Sequence, residues 1–165
     1  MIPVAVSPDV FRSVLRNLPT GVVVVSTHTP TGHQARTANS FTSVSLQPPL
    51  VSVCFGDRSP FTAALCASGR WGVSVLAEDQ PELSVHFAHS QTAWDLTGIP
   101  HTFGPLTGAP LLTECVATLE CRSVATQPAG DHTVVIGEVL ATVIRRDSTP
   151  LVFYQGGYHA VTALR

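Results

Sequence analysis

The sequence predicts a mainly β protein, an antiparallel β-barrel with a few short helices. Seven or more runs rich in β-branched residues follow one another at the spacing of a meander, with Gly and Pro turns between them. Strands do not alternate with long helices, and no G-x-G-x-x-G follows a strand, which disfavours a Rossmann fold. A length of 165 residues is enough for a hydrophobic core, and we expect residues 1–165 to form a single domain.

Composition restricts the partners of this chain. Charged residues make up 12% of the chain and hydrophobic residues 44%, whereas an average domain is about 25% charged. So little charge leaves apolar surface for a second subunit, and we expect a homodimer. The formal net charge of −2 provides no electrostatic basis for binding nucleic acid or an anionic membrane. No apolar run reaches transmembrane length and the start of the chain lacks a signal-peptide pattern, so we expect a cytoplasmic protein.

A helix is predicted near the start of the chain. Ser7-Pro8-Asp9 combines a capping hydroxyl, a proline at the first helical position and an acid in the first turn. The helix ends before Pro19, because proline disfavours helical geometry in the residue that precedes it. Its apolar residues share one face that we expect to pack on the barrel: Val10, Phe11, Val14, Leu15 and Leu18.

A polar stretch, residues 36–46, follows the first predicted strand (21–28) and its turn (29–32). Six of the nine central residues of this stretch carry hydroxyl or amide side chains. Because successive side chains of a strand alternate between faces, both faces carry donors and acceptors. The stretch is therefore either an edge strand that faces water or the wall of a polar binding site. The apolar runs on either side, 22–25 and 50–55, favour a place inside the fold and hence the site.

A second helix is predicted to open at a polar turn, residues 56–60. Ser59 is the expected N-cap, Pro60 the first helical residue, and Gly69 the residue that ends the helix. The free amides of a helix N-terminus beside Arg58 would also bind an anion. From these residues alone, a simple cap with a solvated Arg58 is the favoured interpretation.

The segment 89–109 is the least regular part of the chain. Loops of this length in compact domains tend to be functional or disordered. Trp94 and Phe103 provide apolar side chains for packing, so we expect an ordered loop near a ligand or a dimer interface. The other predicted elements of the second half are a strand at 71–76, a short helix that begins at 79–82, two long β runs at 111–127 and 133–146, and a last strand at 150–154.

No metal site is expected. The four cysteines include no C-x-x-C pair, and Cys54 and Cys66 lie in apolar patterns that indicate small buried side chains. His86 and His89 stand three residues apart on a predicted helix, but no further ligand with suitable spacing is near them. A solvated helix face is the favoured interpretation of this histidine pair.

The order of several motifs along the chain adds more than composition does. Pro19-Thr20-Gly21 precedes four valines, and Thr37–Leu46 is followed by Pro48-Pro49 and Leu50-Val51. The later motifs are Phe87-Ala88, Gly108-Ala109-Pro110, Leu119-Glu120-Cys121, Gly130-Asp131-His132 and Gly156-Gly157-Tyr158. This ordered set, which spans nearly the whole chain, resembles the flavin reductase family, the small reductase components of two-component flavin monooxygenases. The resemblance implies the family's antiparallel split β-barrel, the flavin-binding split barrel.

The resemblance also implies an activity. It implies an NAD(P)H:flavin oxidoreductase that transfers a hydride from NADH or NADPH to FMN or FAD and supplies reduced flavin to a partner monooxygenase. Such a reaction needs few acid–base groups from the protein, because the cofactors carry the chemistry. Two alternatives stay open: a split-barrel oxidase or biosynthetic flavoenzyme that acts on its own substrate with bound flavin, and a non-catalytic flavin-binding protein.

The same resemblance implies roles for individual residues. His132 is the implied catalytic residue, because the matching histidine of the family lies near the flavin and the nicotinamide. Polar side chains at the start of the polar stretch would bind the ribityl chain or ring edge, and the 58–59 pair would bind the phosphate. The implied flavin-binding residues are Thr37, Ala38, Asn39, Ser40, Ser43, Val44, Ser45, Cys54, Phe55, Arg58, Ser59, Phe87, Ala88 and Tyr158.

Two positions depart from the family's pattern. Arg36 stands where many relatives have a small or apolar residue, and no glycine follows Phe87-Ala88. A cation at position 36 would favour a phosphorylated ligand, contact the dinucleotide or face solvent. The sequence therefore does not decide between FMN and FAD.

Overall fold

The computed structural model describes residues 5–89 and 95–163. The described residues form many strands and three short helices, so the predicted mainly β composition is confirmed. In chain order the elements are α1 Pro8–Leu15, β1 Thr20–Gly21, β2 Val23–Thr29, β3 Gly32–Ala38, β4 Thr42–Leu46, β5 Pro49–Gly56, α2 Pro60–Ser68, β6 Arg70–Val75, α3 Pro81–Ala88, β7 His101–Phe103, β8 Pro110–Leu112, β9 Ala117–Ala129, β10 His132–Ile144, β11 Val152–Tyr154 and β12 Gly157–His159.

A seven-stranded antiparallel sheet is the frame of the described structure. Its strand order is β3-β2-β6-β9-β10-β5-β4, so β3 and β4 lie at its two edges. A three-stranded sheet, β1-β11-β12, and a hairpin of β7 and β8 complete the β structure of the described residues. Because the two edge strands are not hydrogen-bonded to each other in this order, the barrel is open between them.

The polar stretch forms two strands, and the prediction of one strand inside the fold is wrong. β3 pairs with β2 at one edge of the large sheet, and β4 pairs with β5 at the other. Residues 39–41 cross between the edges. The Ser40 hydroxyl accepts the Cys54 N–H and donates to the Cys54 carbonyl oxygen, both at 3.0 Å. This side-chain pairing replaces a backbone ladder and ends the strand.

Two clusters of buried side chains form the core. The valines at 22–25 are all buried, as predicted, and alternate between the clusters because strand side chains alternate between faces. Val23 and Val25 pack with Trp71, and Val22 and Val24 pack with Phe87. Each fully buried valine contributes about 1.5–3 kcal/mol of transfer free energy. The run of valines therefore stabilises both core clusters.

The exposure of α1 contradicts the prediction that this helix packs on the barrel. The Ser7 hydroxyl caps the helix by accepting the Val10 N–H at 3.3 Å, as predicted. No residue of α1 is buried, and Val14 is 62% exposed. An apolar helix face is normally buried against another element, but none of the described residues buries this face of α1. A groove of about 360 Å³, which we call the α1 groove, separates the helix from Phe153 and Tyr154.

A buried carboxylate orders the irregular segment. Glu120 is buried, and its Oε2 accepts the N–H groups of Leu106 and Thr107 at 2.9 and 2.8 Å and the Thr107 hydroxyl at 2.8 Å. Phe103 stacks on His33 with ring centroids 4.6 Å apart. The described part of the predicted loop is therefore ordered by the core, and Trp94 lies outside the described residues.

The cysteines differ from one another in burial. Cys66 is exposed, which contradicts the prediction, because α2 turns Phe61, Thr62 and Leu65 inward instead. Cys54 is half-buried, whereas Cys115 and Cys121 are buried. Burial, and after it the charge of Glu120, raises the pKa of the Cys121 thiol to about 12. Among residues 5–89 and 95–163, no three histidine, cysteine or acidic side chains come together as a metal site.

None of the described helices is long and apolar enough to cross a bilayer.

Gly137 makes room for the largest side chain of the core. Trp71 is fully buried, and its indole N–H donates to the Ser123 hydroxyl at 3.1 Å. A Cβ on Gly137 would overlap the six-membered ring of this indole. The tryptophan is fully buried in the core cluster, so a shift of its ring would disturb the packing of that cluster.

We expect Gly137→Ala to lower the free energy of unfolding by about 1–3 kcal/mol, the usual cost of overpacking. Urea unfolding followed by tryptophan fluorescence measures this change. Gly21→Ala is the matched control, since a Cβ there meets no atom within 4 Å, and its effect should stay within about 0.5 kcal/mol. An unchanged midpoint for Gly137→Ala would show that the indole does not need this space.

Candidate functional site

A cavity of about 470 Å³ opens at the edge strand β3, and we call it the β3 cavity. The end of β3 and the start of the crossing form one wall. The other walls come from the end of β5, the start of α2, one face of α3 and the β11–β12 hairpin. The lining residues are Val22, Arg36, Thr37, Ala38, Asn39, Phe55, Gly56, Ser59, Ser84, Ala88, Phe153 and Tyr158.

Three hydroxyl side chains hold the walls of the β3 cavity together. Thr37 Oγ1 donates to the main-chain carbonyl oxygen of Ser84 at 2.7 Å. The Tyr158 hydroxyl donates to Ser84 Oγ at 2.8 Å. Ser84 is buried and both bonds are partly buried, which reduces competition from water. The pair of bonds fixes α3 against β3 on one side and against β12 on the other.

A second cavity of about 660 Å³ adjoins the first and shares Gly56 and Ser59 with it. Its other lining residues are Asp57, Arg58, Asp131 and His132. Two turns meet here, because the Asp57 N–H donates to the Asp131 carbonyl oxygen at 3.1 Å. The position of this second cavity is thus set by the pairing of β5 with β10.

The histidine of the second cavity is held by its neighbour. His132 Nδ1 lies 2.7 Å from Asp131 Oδ1, and the imidazole side chain is 49% exposed. The hydrogen bond from His132, and after it the charge of this ring, lowers the pKa of the Asp131 carboxyl. The pair therefore presents one ring edge to the cavity while the other is engaged.

The N-terminus of α2 reaches both cavities. Ser59 is at the N-cap position, but its hydroxyl makes no capping bond. Gly56 accepts the Ser59 N–H at 3.0 Å and the Thr62 hydroxyl at 2.8 Å through its carbonyl oxygen. The turn is therefore shaped by its backbone, and the Ser59 hydroxyl remains available to a ligand at the positive end of the helix.

A comparison with known protein families decides the family of this fold and site. The profile of a family described as the flavin reductase like domain matches residues 15–162. The chain belongs to the flavin reductase family. An NADH-dependent flavin reductase from Rhodococcus sp is 37% identical over 162 residues, which cover 96% of this chain and 89% of that protein. An NADH-dependent FAD reductase from Streptomyces globisporus is 40% identical over 151 residues, covering 88% and 81%.

Solved flavin reductase structures have the same fold. The NADH:FAD oxidoreductase of Streptomyces globisporus C-1027, in complex with NAD and FAD fragments, superposes with a TM-score of 0.89 at 34% identity and covers 97% of this chain and 98% of its own. BorF, the flavin reductase component of a bacterial two-component tryptophan halogenase, has a TM-score of 0.89 at 33% identity and covers 96% and 100%. The predicted family, split-barrel fold and enzyme class are confirmed.

The structure brings part of the predicted flavin reductase site together. Seven of the implied residues line the β3 cavity, and the second cavity holds Arg58 and His132 beside Ser59. The seven are Thr37, Ala38, Asn39, Phe55, Ser59, Ala88 and Tyr158.

Six other implied residues do not line either cavity. Phe87 is fully buried in the core, because it faces away from the side of α3 that carries Ala88. Ser40 and Cys54 bond to each other: the Ser40 hydroxyl accepts the Cys54 N–H and donates to the Cys54 carbonyl oxygen. The other three lie on the far edge strand β4: Ser43, Val44 and Ser45.

Five lining residues were absent from the implied set. They are Val22, Arg36, Gly56, Ser84 and Phe153. Ser84 precedes Ala88 by one helical turn, so helical spacing from Phe87-Ala88 is a signal that would have found it. Phe153 pairs with Tyr158 across β11 and β12, and only the hairpin register brings it to the site.

We expect Tyr158→Phe to lower the free energy of unfolding by about 1–3 kcal/mol, because the buried Ser84 hydroxyl loses its donor. Urea unfolding measures the change. Tyr154→Phe is the matched control, since the Tyr154 hydroxyl makes no hydrogen bond with the described residues. Equal midpoints for the two variants would contradict a stabilising role of the Tyr158–Ser84 bond.

Proposed function

We propose that this flavin reductase transfers a hydride from NADH or NADPH to FMN or FAD held in the β3 cavity. The reduced flavin would then leave for a separate flavin-dependent monooxygenase. The flavin, when bound, supplies the electron acceptor, and the reduced nicotinamide supplies the hydride. The observation that carries the proposal is the joining of a polar strand wall to aromatic side chains in one cavity of about 470 Å³.

The residues of the β3 cavity fit a flavin. Its volume lies within the range of about 300–1,000 Å³ that is typical of small-molecule sites. Phe55, Phe153 and Tyr158 offer flat apolar surface for a fused ring. Asn39 offers an amide group to the polar edge of that ring or to its ribityl chain, and Thr37 Oγ1, which donates to Ser84, still offers an acceptor. The chain's contribution is to orient two flat substrates, which is mainly a proximity effect.

The N-terminus of α2 supports a phosphate position. The Ser59 hydroxyl makes no capping bond, and Arg58 lines the second cavity beside it. Helix amides, a free hydroxyl and a guanidinium are a donor set that favours an anion. Because both cavities meet at Gly56 and Ser59, one elongated nucleotide would extend from the ring position into the second cavity.

His132 remains the proposed catalytic residue. It lines the second cavity, next to the proposed phosphate position, and Asp131 orients its ring. In this role the free ring nitrogen would donate or accept a hydrogen bond at the nucleotide. The activity assay also measures whether the protein prefers FMN or FAD, and NADH or NADPH.

We also propose that residues 1–165 form one flavin reductase-like domain. The family match over 15–162 supports this. We further propose a homodimer that covers the apolar face of α1, supported by the exposure of Val10, Phe11 and Val14. We also propose a cytoplasmic location, as expected from the sequence.

The activity test is oxidation of NADH and NADPH under air, followed by loss of nicotinamide absorbance, with FMN, FAD or no added flavin. We expect turnover that depends on added flavin, because the protein uses flavin as a substrate. Turnover without added flavin by a yellow protein would favour a flavoenzyme with bound flavin. Tight flavin binding without any turnover would favour a flavin-binding protein.

We expect the protein to sediment as a dimer and Val14→Asp to weaken the dimer by about tenfold or more, since an unpaired charge would enter an apolar interface. Sedimentation velocity over a concentration series measures this. Val161→Asp is the control, because Val161 is also exposed but lies outside α1. A dimer of unchanged affinity in Val14→Asp would exclude α1 from the interface, and a monomeric parent protein would refute the dimer.

A further inference from the structure

Arg36 is the one charged side chain among the described residues that line the β3 cavity. The residue is half-buried, and it forms no hydrogen bond or ion pair with the described part of the chain. A cavity with a single unpaired cation in its wall favours a ligand that carries negative charge.

The register of β3 places this cation. Arg36 pairs with Val25 and Ala38 pairs with Val23. Residues two apart in a strand share a face, so Arg36 stands on the same side of β3 as Ala38. Thr37 faces the opposite side, where its hydroxyl bonds to Ser84. Because β3 is an edge strand, side chains from both of its faces reach the cavity.

Arg36 differs from the other half-buried arginines of the described residues. Arg145 Nε donates to the Thr118 hydroxyl at 3.3 Å, and Arg146 pairs with the Asp79 carboxylate at 2.5 Å. A guanidinium that is partly removed from water loses hydration, and such partners compensate for the loss. Arg36 has no such partner among the described residues, and its donor atoms reach the solvent of the cavity, where a bound anion would meet them.

The geometry of a guanidinium narrows the kind of anion. Its planar set of donors matches two oxygens of a phosphate group and binds them in parallel. Both substrates of the proposed reaction contain phosphate, whereas their flavin and nicotinamide rings do not. A cation on β3 therefore distinguishes nucleotides from the phosphate-free rings that they carry.

We propose that Arg36 binds a phosphate group of a nucleotide substrate in the β3 cavity and makes the site selective for phosphorylated over phosphate-free substrates. This inference rests on the proposed function and names a specificity-determining residue for it. The phosphate belongs either to the nicotinamide dinucleotide, with the flavin phosphate at Ser59 and Arg58, or to the flavin nucleotide, whose phosphate would then lie at Arg36 and not at the α2 N-terminus. Separate arms of one experiment distinguish these sources.

The experiment compares dissociation constants for the full-length protein and Arg36→Gln. The flavin arm uses FMN and riboflavin, measured by flavin fluorescence. The nicotinamide arm uses NADH and N-benzyl-dihydronicotinamide, measured by dihydronicotinamide fluorescence. We expect the dissociation constant of FMN or NADH to rise by about tenfold, the effect of one lost charge-assisted hydrogen bond. The dissociation constant of the phosphate-free compound in the same arm should change by less than about twofold, because this compound has no phosphate for the guanidinium to bind.

Two further variants make the result specific. Arg36→Lys keeps the charge but loses the planar donors, so its affinity should fall between those of the parent and Arg36→Gln. Arg122→Gln is the matched control, since Arg122 is exposed, pairs with Glu138 and lies outside both cavities. Urea unfolding of Arg36→Gln verifies that the variant is folded.

A selective loss in the flavin arm assigns the phosphate to the flavin, and a selective loss in the nicotinamide arm assigns it to the dinucleotide. An equal loss for phosphate-free compounds, or no loss in either arm, overturns the role of Arg36. Failure of the proposed function has a different signature, namely a parent protein that binds these compounds but shows no flavin-dependent NADH oxidation.

Discussion

The bonds between Ser40 and the backbone of Cys54 hold the barrel where its sheet is split. β3 and β4 are consecutive in the chain but lie at opposite edges of the seven-stranded sheet, so three residues must cross between them. Ser40 is the middle residue of this crossing and occupies both polar groups of Cys54. The neighbours of this pair, Asn39 and Phe55, line the β3 cavity. The same side-chain bonds therefore join the sheet edges and build one corner of the site.

The site separates polar groups that stabilise the fold from polar groups that are free for a ligand. The hydroxyls of Thr37 and Tyr158 are used as donors to Ser84, so they fix the distance between three elements. Ser59 and Arg36 line the same cavity and have no such partner among the described residues. Both side chains are half-buried and their polar atoms reach the solvent, so they are the groups that a substrate in the cavity would contact.

Local signals made most of this structure predictable, and non-local contacts account for what was missed. The cap at Ser7 is a contact within one turn, and it is where the sequence predicts it. The break at Ser40 depends on Cys54, fourteen residues along the chain, and side-chain bonds of this kind have no period. The Phe87-Ala88 pair resembles the family's motif, but neighbours on a helix face different directions, so only Ala88 reaches the cavity. The stripe on α1 predicted a buried face, but that face is exposed in the described structure.

The α1 groove and the β3 cavity share Asn39 and Phe153. A second subunit that covers α1 would therefore rest on two side chains that also border the substrate. Thermodynamic linkage makes such a coupling reciprocal: if assembly raises substrate affinity by some factor, substrate raises assembly affinity by the same factor. Substrate affinity would then depend on the concentration of this protein, and an assay at high dilution would report a weaker site than one at a concentration that favours the dimer.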